Sequence, residues 1–184
     1  MNFFYLPRML YFSKPTHQRV LYKYLLNNPL SSIVEIGLGN GESALETLNF
    51  IEYCQKKKWK SRNPSDRRLR YTGIDLFEMG KKKNLTLKET YQKLRQTSAQ
   101  IRLLPGTAQS VLPRYANTLL KIDLILISNE ESATSLQESW RYLPRMLHPR
   151  SVLFWEQGLG ESSTLKKYTF GEIQREQEEK RTAA

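Results

Sequence analysis

The stretch "KIDLILIS", Lys121 to Ser128, limits the fold more than any other part of this chain. It is a continuous apolar run. A strand with one wet face alternates apolar and polar residues, whereas a run without alternation is expected where helices cover both faces of the sheet. The flanking sequence supplies such helices. "SIVEIG", "YTGID" and "AQIRLLPG" read as strands, and "HPRSVLFWEQ" as a turn and a fifth strand. "GESALETLNFIEYCQKK", "LTLKETYQKLRQT", "TAQSVLPRYANTL" and "ESATSLQESWRYLPRML" lie between the strands and read as helices. Strands alternating with helices in this order predict an α/β fold: a doubly wound, mainly parallel sheet with helices on both faces.

Local signals support these elements. "KPTHQRVLYKYLLNNP" reads as a helix before the first strand, with Thr16 as N-cap and a stripe of Val20, Leu21, Tyr24 and Leu25. Asn27, Asn28 and Pro29 stop it. The helix after the first strand turns Ala44, Leu48, Ile51 and Tyr53 inward. Thr86 and Glu89 have capping-box spacing. The hexapeptide "YLPRML" occurs at Tyr5 and again at Tyr142, without the fixed period that a repeat fold needs.

A chain of 184 residues fits one compact domain. We read an N-terminal aromatic segment over 1–15, a single domain over 16–170, and a polar helix or tail over 171–184. "MNFFYLPRMLYF" is apolar but is broken by Pro7 and Arg8, and no small-residue cleavage site follows. It reads as neither signal peptide nor membrane span. Twenty-nine Lys and Arg against 18 Asp and Glu give a net charge of +11, which favours contact with anions. Cys54 is the one cysteine, so no disulfide forms within the chain and no thiolate metal site is built. His17 and His148 are the only histidines, which excludes a histidine-rich metal site. The expected setting is the cytoplasm, with no metal and no membrane.

Between the first strand and its helix stand Gly37, Gly39 and Gly41, with Glu35 two residues upstream. Open parallel sheets bind ligands outside the carboxyl ends of their strands, where strand order reverses, and the first strand borders that point. Glycine there permits positive φ and removes the Cβ that would hold a ligand away. Asp75 ends the second strand, where an acid can accept hydrogen bonds from both ribose hydroxyls. The dinucleotide fingerprint G-x-G-x-x-G would need glycine at Glu42. An acid at that helix start opposes a pyrophosphate, so a nicotinamide-dependent dehydrogenase is disfavoured.

"VEIGLGNGES" followed by "YTGIDLF" resembles the first two motifs of the class I S-adenosylmethionine-dependent methyltransferases, which are Rossmann-like. "KIDLILIS" resembles their fourth strand and "LPRMLHPRSVLFWE" the approach to the fifth. The resemblance spans Ser31 to Glu156, about two thirds of the chain. It implies S-adenosyl-L-methionine as cofactor. Gly37, Gly39 and Gly41 would lie beside its methionine and ribose. Glu35 would hold the amino group through water or loop backbone, and Asp75 would take the ribose hydroxyls. Leu76 or Phe77 would lie beside the adenine. Gly106-Thr107-Ala108 stands where the family often has Gly-Asp-Ala, so Thr107 offers an acceptor without charge. Ser128, at the end of the fourth strand, completes the set. Most members add two strands after the fifth. Here only "KYTF" is available, so the C-terminal part of the sheet is shortened.

Catalytic groups would follow the fourth strand, in "SNEES". Asn129 could orient an acceptor and Glu130 could act as general base; capping the next helix is their alternative role. Glu156 ends the fifth strand and is a further candidate. Asp123 begins the fourth strand and His148 precedes the fifth, both at the opposite end. The basic run from Lys56 to Arg70 should also lie at that end, and Lys81, Lys82 and Lys83 near the cofactor end. The leading reading is a methyltransferase acting on an unidentified acceptor, with an anionic one among those considered. The other is a non-catalytic S-adenosylmethionine-binding or basic nucleic-acid-binding module on the same fold. Nucleic acid and a second copy of the chain in a homodimer are the further partners considered.

Overall fold

The computed structural model describes residues 5–13, 18–59, 68–80, 85–128, 133–158 and 163–182. Six strands form one sheet in the order β3-β2-β1-β4-β5-β6. They are β1 (Ser32–Ile36), β2 (Arg70–Asp75), β3 (Gln100–Pro105), β4 (Ile122–Ile127), β5 (Leu147–Gln157) and β6 (Thr164–Thr169). The first five run parallel and β6 runs antiparallel to β5. β1 lies between β2 and β4, so strand order reverses at its carboxyl end. The expected α/β sheet is therefore present. β6 is the only strand after β5 among the described residues, and it contains the "KYT" of the expected "KYTF".

The helices are α1 (Tyr5–Pro7), α2 (Gln18–Asn27), α3 (Glu42–Lys57), α4 (Leu87–Leu94), α5 (Ala108–Tyr115), α6 (Ala133–Ser139), α7 (Leu143–Met146) and α8 (Phe170–Thr182). The sheet has a buried layer on each face. Ile33, Leu124 and Phe154 join Leu21, Tyr22, Leu48 and Phe50 of α2 and α3. Val34, Ile125 and Leu153, one residue along each strand, join Val111 and Leu112 of α5, Trp140, and Ile173 of α8. Side chains alternate across a strand, so a strand between two helical layers is buried on both faces and is mostly apolar. All five residues of β1 are buried. No described helix is long and apolar enough to cross a membrane.

Local chemistry sets the boundaries. Thr86 Oγ1 accepts from the Glu89 N–H at 3.2 Å, and the Thr86 N–H donates to the Glu89 carboxylate at 2.9 Å, closing the expected capping box. After α6 the chain tightens into a 3-10 turn over Trp140–Tyr142 and resumes as α7 with Pro144 in its first turn. Proline has no N–H to bond the preceding turn, which is why one predicted helix becomes three pieces. Both copies of "YLPRML" form short helical turns that bury the same two residues. Met9 and Leu10 join one layer, Met146 and Leu147 the other.

The α2 stripe differs from expectation. Val20 is 51% exposed and Tyr22 is fully buried. Tyr22 packs against Phe50 of α3 at 4.9 Å, which turns the inward face of α2 toward α3. Tyr53 is half-buried and stacks on Phe50. Thr16 lies outside the described residues. The turn expected at His148-Pro149 is a register shift within β5, between the pairs Ile122–Leu147 and Leu124–Val152. Ser151 stabilises it, accepting from the His148 N–H and donating to the Ile122 carbonyl.

The amino end of the sheet is tied by Asp123. Its Oδ2 accepts from the backbone N–H groups of Ser31 at 2.7 Å and Ser32 at 2.9 Å, and from both hydroxyls. Its Oδ1 meets His148 Nε2 at 2.9 Å. Burial alone would raise this carboxyl, but the bonds from Ser31, His148 and Ser32 outweigh it and hold the pKa below the usual value. A depressed carboxylate stabilises the fold above its unfolded pKa, about 3.9, and loses that contribution as pH falls through its folded value. We expect Asp123→Ala to cost about 2–4 kcal/mol in urea unfolding at neutral pH. The variant should also lose part of the acid sensitivity of the native protein. An unchanged midpoint would contradict this role.

Candidate functional site

β1 ends at Ile36, and the chain then turns sharply outside the sheet. Gly37, Gly39 and Gly41 have φ of 80°, 57° and 67°. These are left-handed conformations that strain any residue with a Cβ. The Gly37 N–H donates to the Ile74 carbonyl at 2.9 Å, and the Gly41 N–H to the Leu38 carbonyl at 3.0 Å. Leu38 points inward and is 5% exposed. It lies over Gly73 of β2, where an added Cβ would stand 2.7 Å from Leu38 Cδ2 and 2.9 Å from Leu103 Cδ2. Gly73 therefore belongs to the loop's design, although sequence reasoning passed over it. The signal was there: a glycine inside a strand marks a close approach.

Asp75 joins β2 to this loop. Its Oδ2 accepts from the Gly39 N–H at 2.9 Å and its Oδ1 from the Phe77 N–H at 3.0 Å. Its own carbonyl accepts from the Gly106 N–H at 2.8 Å. Three segments meet at one residue that is 7% exposed. An ionised carboxylate offers about four lone-pair sites. The two backbone bonds leave acceptor capacity on each oxygen, as two ribose hydroxyls would require. Leu76, beside it, is 37% exposed, an apolar side chain at the rim. Phe77 turns into the protein and is buried.

The remaining expected residues gather at the same end. Thr107 caps α5, its Oγ1 accepting from the Ser110 N–H at 3.3 Å, and Ala108 is buried behind it. Ser128 follows β4, and its N–H donates to the Ile36 carbonyl at 2.9 Å. Lys93 of α4 holds the loop from outside, donating to the Asn40 carbonyl at 3.1 Å. Asn40 Oδ1 accepts from the Glu42 N–H at 3.1 Å, so a side chain already occupies the start of α3. The side chain of Glu42 is 71% exposed and turned away.

Glu35 lies on the other side of the loop. It is 5% exposed, and the Tyr71 hydroxyl donates to its Oε2 at 2.7 Å. Burial pushes its pKa up to about 7; the Tyr71 bond opposes this, and the charge of Asp75 adds to it. The Tyr71 phenol is raised well above its ordinary value by burial and by Glu35. Glu35 lines a cleft with Gln18, Ser43, Leu126, Ser128, Phe154 and Glu156, and no basic residue lines it among the described residues. Glu156 is half-buried there. No group of three metal-ligating side chains occurs among the described residues.

Asn129, Glu130 and Glu131 lie outside the described residues, as do His17, Lys81, Lys82, Lys83 and the part of the basic run from Lys60 to Arg67. His148 and Asp123 bond one another at the amino end. Lys56, Lys57, Lys58, Arg68 and Arg70 are exposed, at the ends of the elements that lead into β2.

No family model and no curated protein sequence matches this chain. Solved structures match its shape. The TehB-like SAM-dependent methyltransferase of Corynebacterium glutamicum superposes with a TM-score of 0.50 at 12% identity, over 86% of this chain and 69% of that one. The O-methyltransferase TomG of Streptomyces achromogenes, solved with SAM, gives 0.54 at 14% identity, over 95% and 71%. The N-methyltransferase NodS of Bradyrhizobium japonicum gives 0.51 at 16% identity, over 79% and 70%. The chain thus has the α/β Rossmann-like fold of the class I SAM-dependent methyltransferases. Identities this low define the fold and leave the reaction to the site.

Glu35 carries a testable consequence. An acid whose folded pKa is raised favours the fold fully below its unfolded value, and that advantage is lost as pH rises through the folded value. Between about pH 4.5 and 7 the native protein should lose stability on the order of 3 kcal/mol from this group. Glu35→Gln should flatten that window in denaturant melts taken across pH. A variant as pH-dependent as the native protein would overturn the assignment.

Proposed function

We propose that this chain is an S-adenosylmethionine-dependent methyltransferase. The observation that carries the reading is the Asp75 carboxylate, bonded to the glycine loop at the point where strand order reverses. Asp75 would hold the ribose hydroxyls, Leu76 would lie against the adenine, and Thr107 and Ala108 would border its edge. Gly37, Gly39 and Gly41 would let the methionine part rest on bare backbone. Glu35 and Ser128 would border its amino end. Residues 16–170 would form this unit, with 1–15 and 171–184 as its flanking segments. When bound, S-adenosylmethionine supplies an electrophilic methyl group on a sulfonium.

The protein's own work is alignment and exclusion of water. An acceptor would enter beside Glu35, Ser128 and Glu156, whose cleft holds two carboxylates and no cation among the described residues. That lining favours an uncharged or cationic acceptor over an anionic one. Below pH 7 Glu35 is largely protonated in the free protein. A cationic group nearby would favour its ionised form, so binding would release a proton. Glu156 stands at the strand end as the described carboxylate best placed to take a proton from an acceptor.

Calorimetry with S-adenosylmethionine tests the reading. We expect binding in the micromolar range that strengthens as pH rises through 7. Asp75→Ala should weaken it about tenfold or more, a loss of about 1.4 kcal/mol or greater. Absence of heat at high micromolar protein, or an affinity indifferent to Asp75, would rule the reading out. Methyl transfer from radiolabelled cofactor to a panel of amines and alcohols then separates an enzyme from a binding module.

A further inference from the structure

The amino end of the sheet carries a second concave surface. A cleft of about 180 Å³ is lined there by Ser32, Arg70, Thr72, Gln100, Arg102 and Thr118, among others. The parallel register pairs Arg70 with Gln100 and Thr72 with Arg102, so these four side chains share one face of the sheet. The Arg102 guanidinium lies over the Tyr115 ring, 5.0 Å from its centroid. Arg70 and Arg102 are exposed, and no ion pair engages either among the described residues. No carboxylate lines the cleft among the described residues. Asp123 is nearby in the fold, but both its oxygens are already bonded to Ser31, Ser32 and His148.

Helix dipoles explain only some of the positive charge at this end. Lys56 and Lys57 close α3 and Arg114 closes α5, where cations suit the partial negative charge of a helix C-terminus. Arg70 and Arg102 lie on strands, whose net dipoles are small. They also occupy the face on which β1 and β4 carry Val34 and Ile125 into the core. Two arginines there, with neutral hydrogen-bonding neighbours, leave a positive charge that no acid answers among the described residues. Exposed Arg68 and Lys121 extend it along the chain on either side.

We propose that this cleft and its basic margin dock a nucleic-acid strand through its phosphates. Paired guanidiniums match the geometry of phosphate oxygens, and the exposed Gln100 amide can donate to the same group. The margin extends the charge beyond one anion, as a chain of regularly spaced phosphates would use. The arginines sit in a recess, which suits a strand laid into it better than a flat bilayer. Asp75 is at the far end of the strand that starts with Arg70, about 17 Å away. Docking therefore leaves the glycine loop free, and the inference is independent of the cofactor reading.

Fluorescence anisotropy of the full chain with a short labelled mixed-sequence RNA tests it. The native protein should bind at roughly 50 mM salt and weaken steeply toward 200 mM. The double variant Arg70→Ala with Arg102→Ala should lose about tenfold or more and show a shallower salt slope, by about one to two. Arg70→Lys with Arg102→Lys should retain most of the binding. Melting temperature should stay unchanged in both variants, which separates docking from folding. The proposal fails if RNA does not bind at low salt, or if the alanine pair binds as tightly as the native protein. It also fails if phosphatidylserine vesicles are bound while RNA is not.

Discussion

The carboxylate of Asp75 is the joint on which the functional end of this molecule depends. It accepts from Gly39 in the loop and from Phe77 in the turn after β2, while its carbonyl receives Gly106 from the end of β3. Charge-assisted bonds to backbone N–H groups are stronger than neutral ones, and here they are shielded from water. One residue, through its side chain and its backbone carbonyl, therefore ties together three strand ends. A loop with three left-handed glycines would otherwise have high conformational freedom. The acid offsets that freedom without filling the space over the glycines.

Among the described residues, the clefts at the two ends of the sheet differ in charge. The carboxyl end carries Glu35, Asp75 and Glu156, and the amino end carries Arg70, Arg102 and Lys121 with Asp123 internally bonded. A net charge of +11 read along the chain does not show this division. It follows from topology, because parallel strands bring all their starts together and all their ends together. An acid-lined cleft and a basic cleft can then coexist on one small domain and address different partners.

Much of the fold was legible in the sequence because it rests on local chemistry. The apolar run of β4, the Thr86–Glu89 box and the glycine spacing each carry their own physical reason. The far-end position of Asp123, His148 and Arg70 followed from strand direction. What stayed hidden depends on contacts between elements distant in sequence. Tyr22 is buried and Val20 exposed because Phe50 of α3 meets one and not the other. Gly73 is required by Leu38, which only the folded loop brings to it. The Glu35–Tyr71 bond needs the register of β1 on β2. The glycine loop, Asp75 and Thr107 were legible as a constellation, but the cleft beside Glu35 was not, because its lining comes from α2, β4 and β5 together.

The central claim is that the glycine loop and Asp75 form one nucleoside-binding surface. Amide chemical shifts of ¹⁵N-labelled protein during titration with S-adenosylmethionine address it residue by residue. The account predicts the largest changes at Gly37, Gly39, Gly41, Leu76 and Thr107, with the amides of Arg70 and Arg102 still. No change at the loop, or changes confined to the amino end of the sheet, would contradict it.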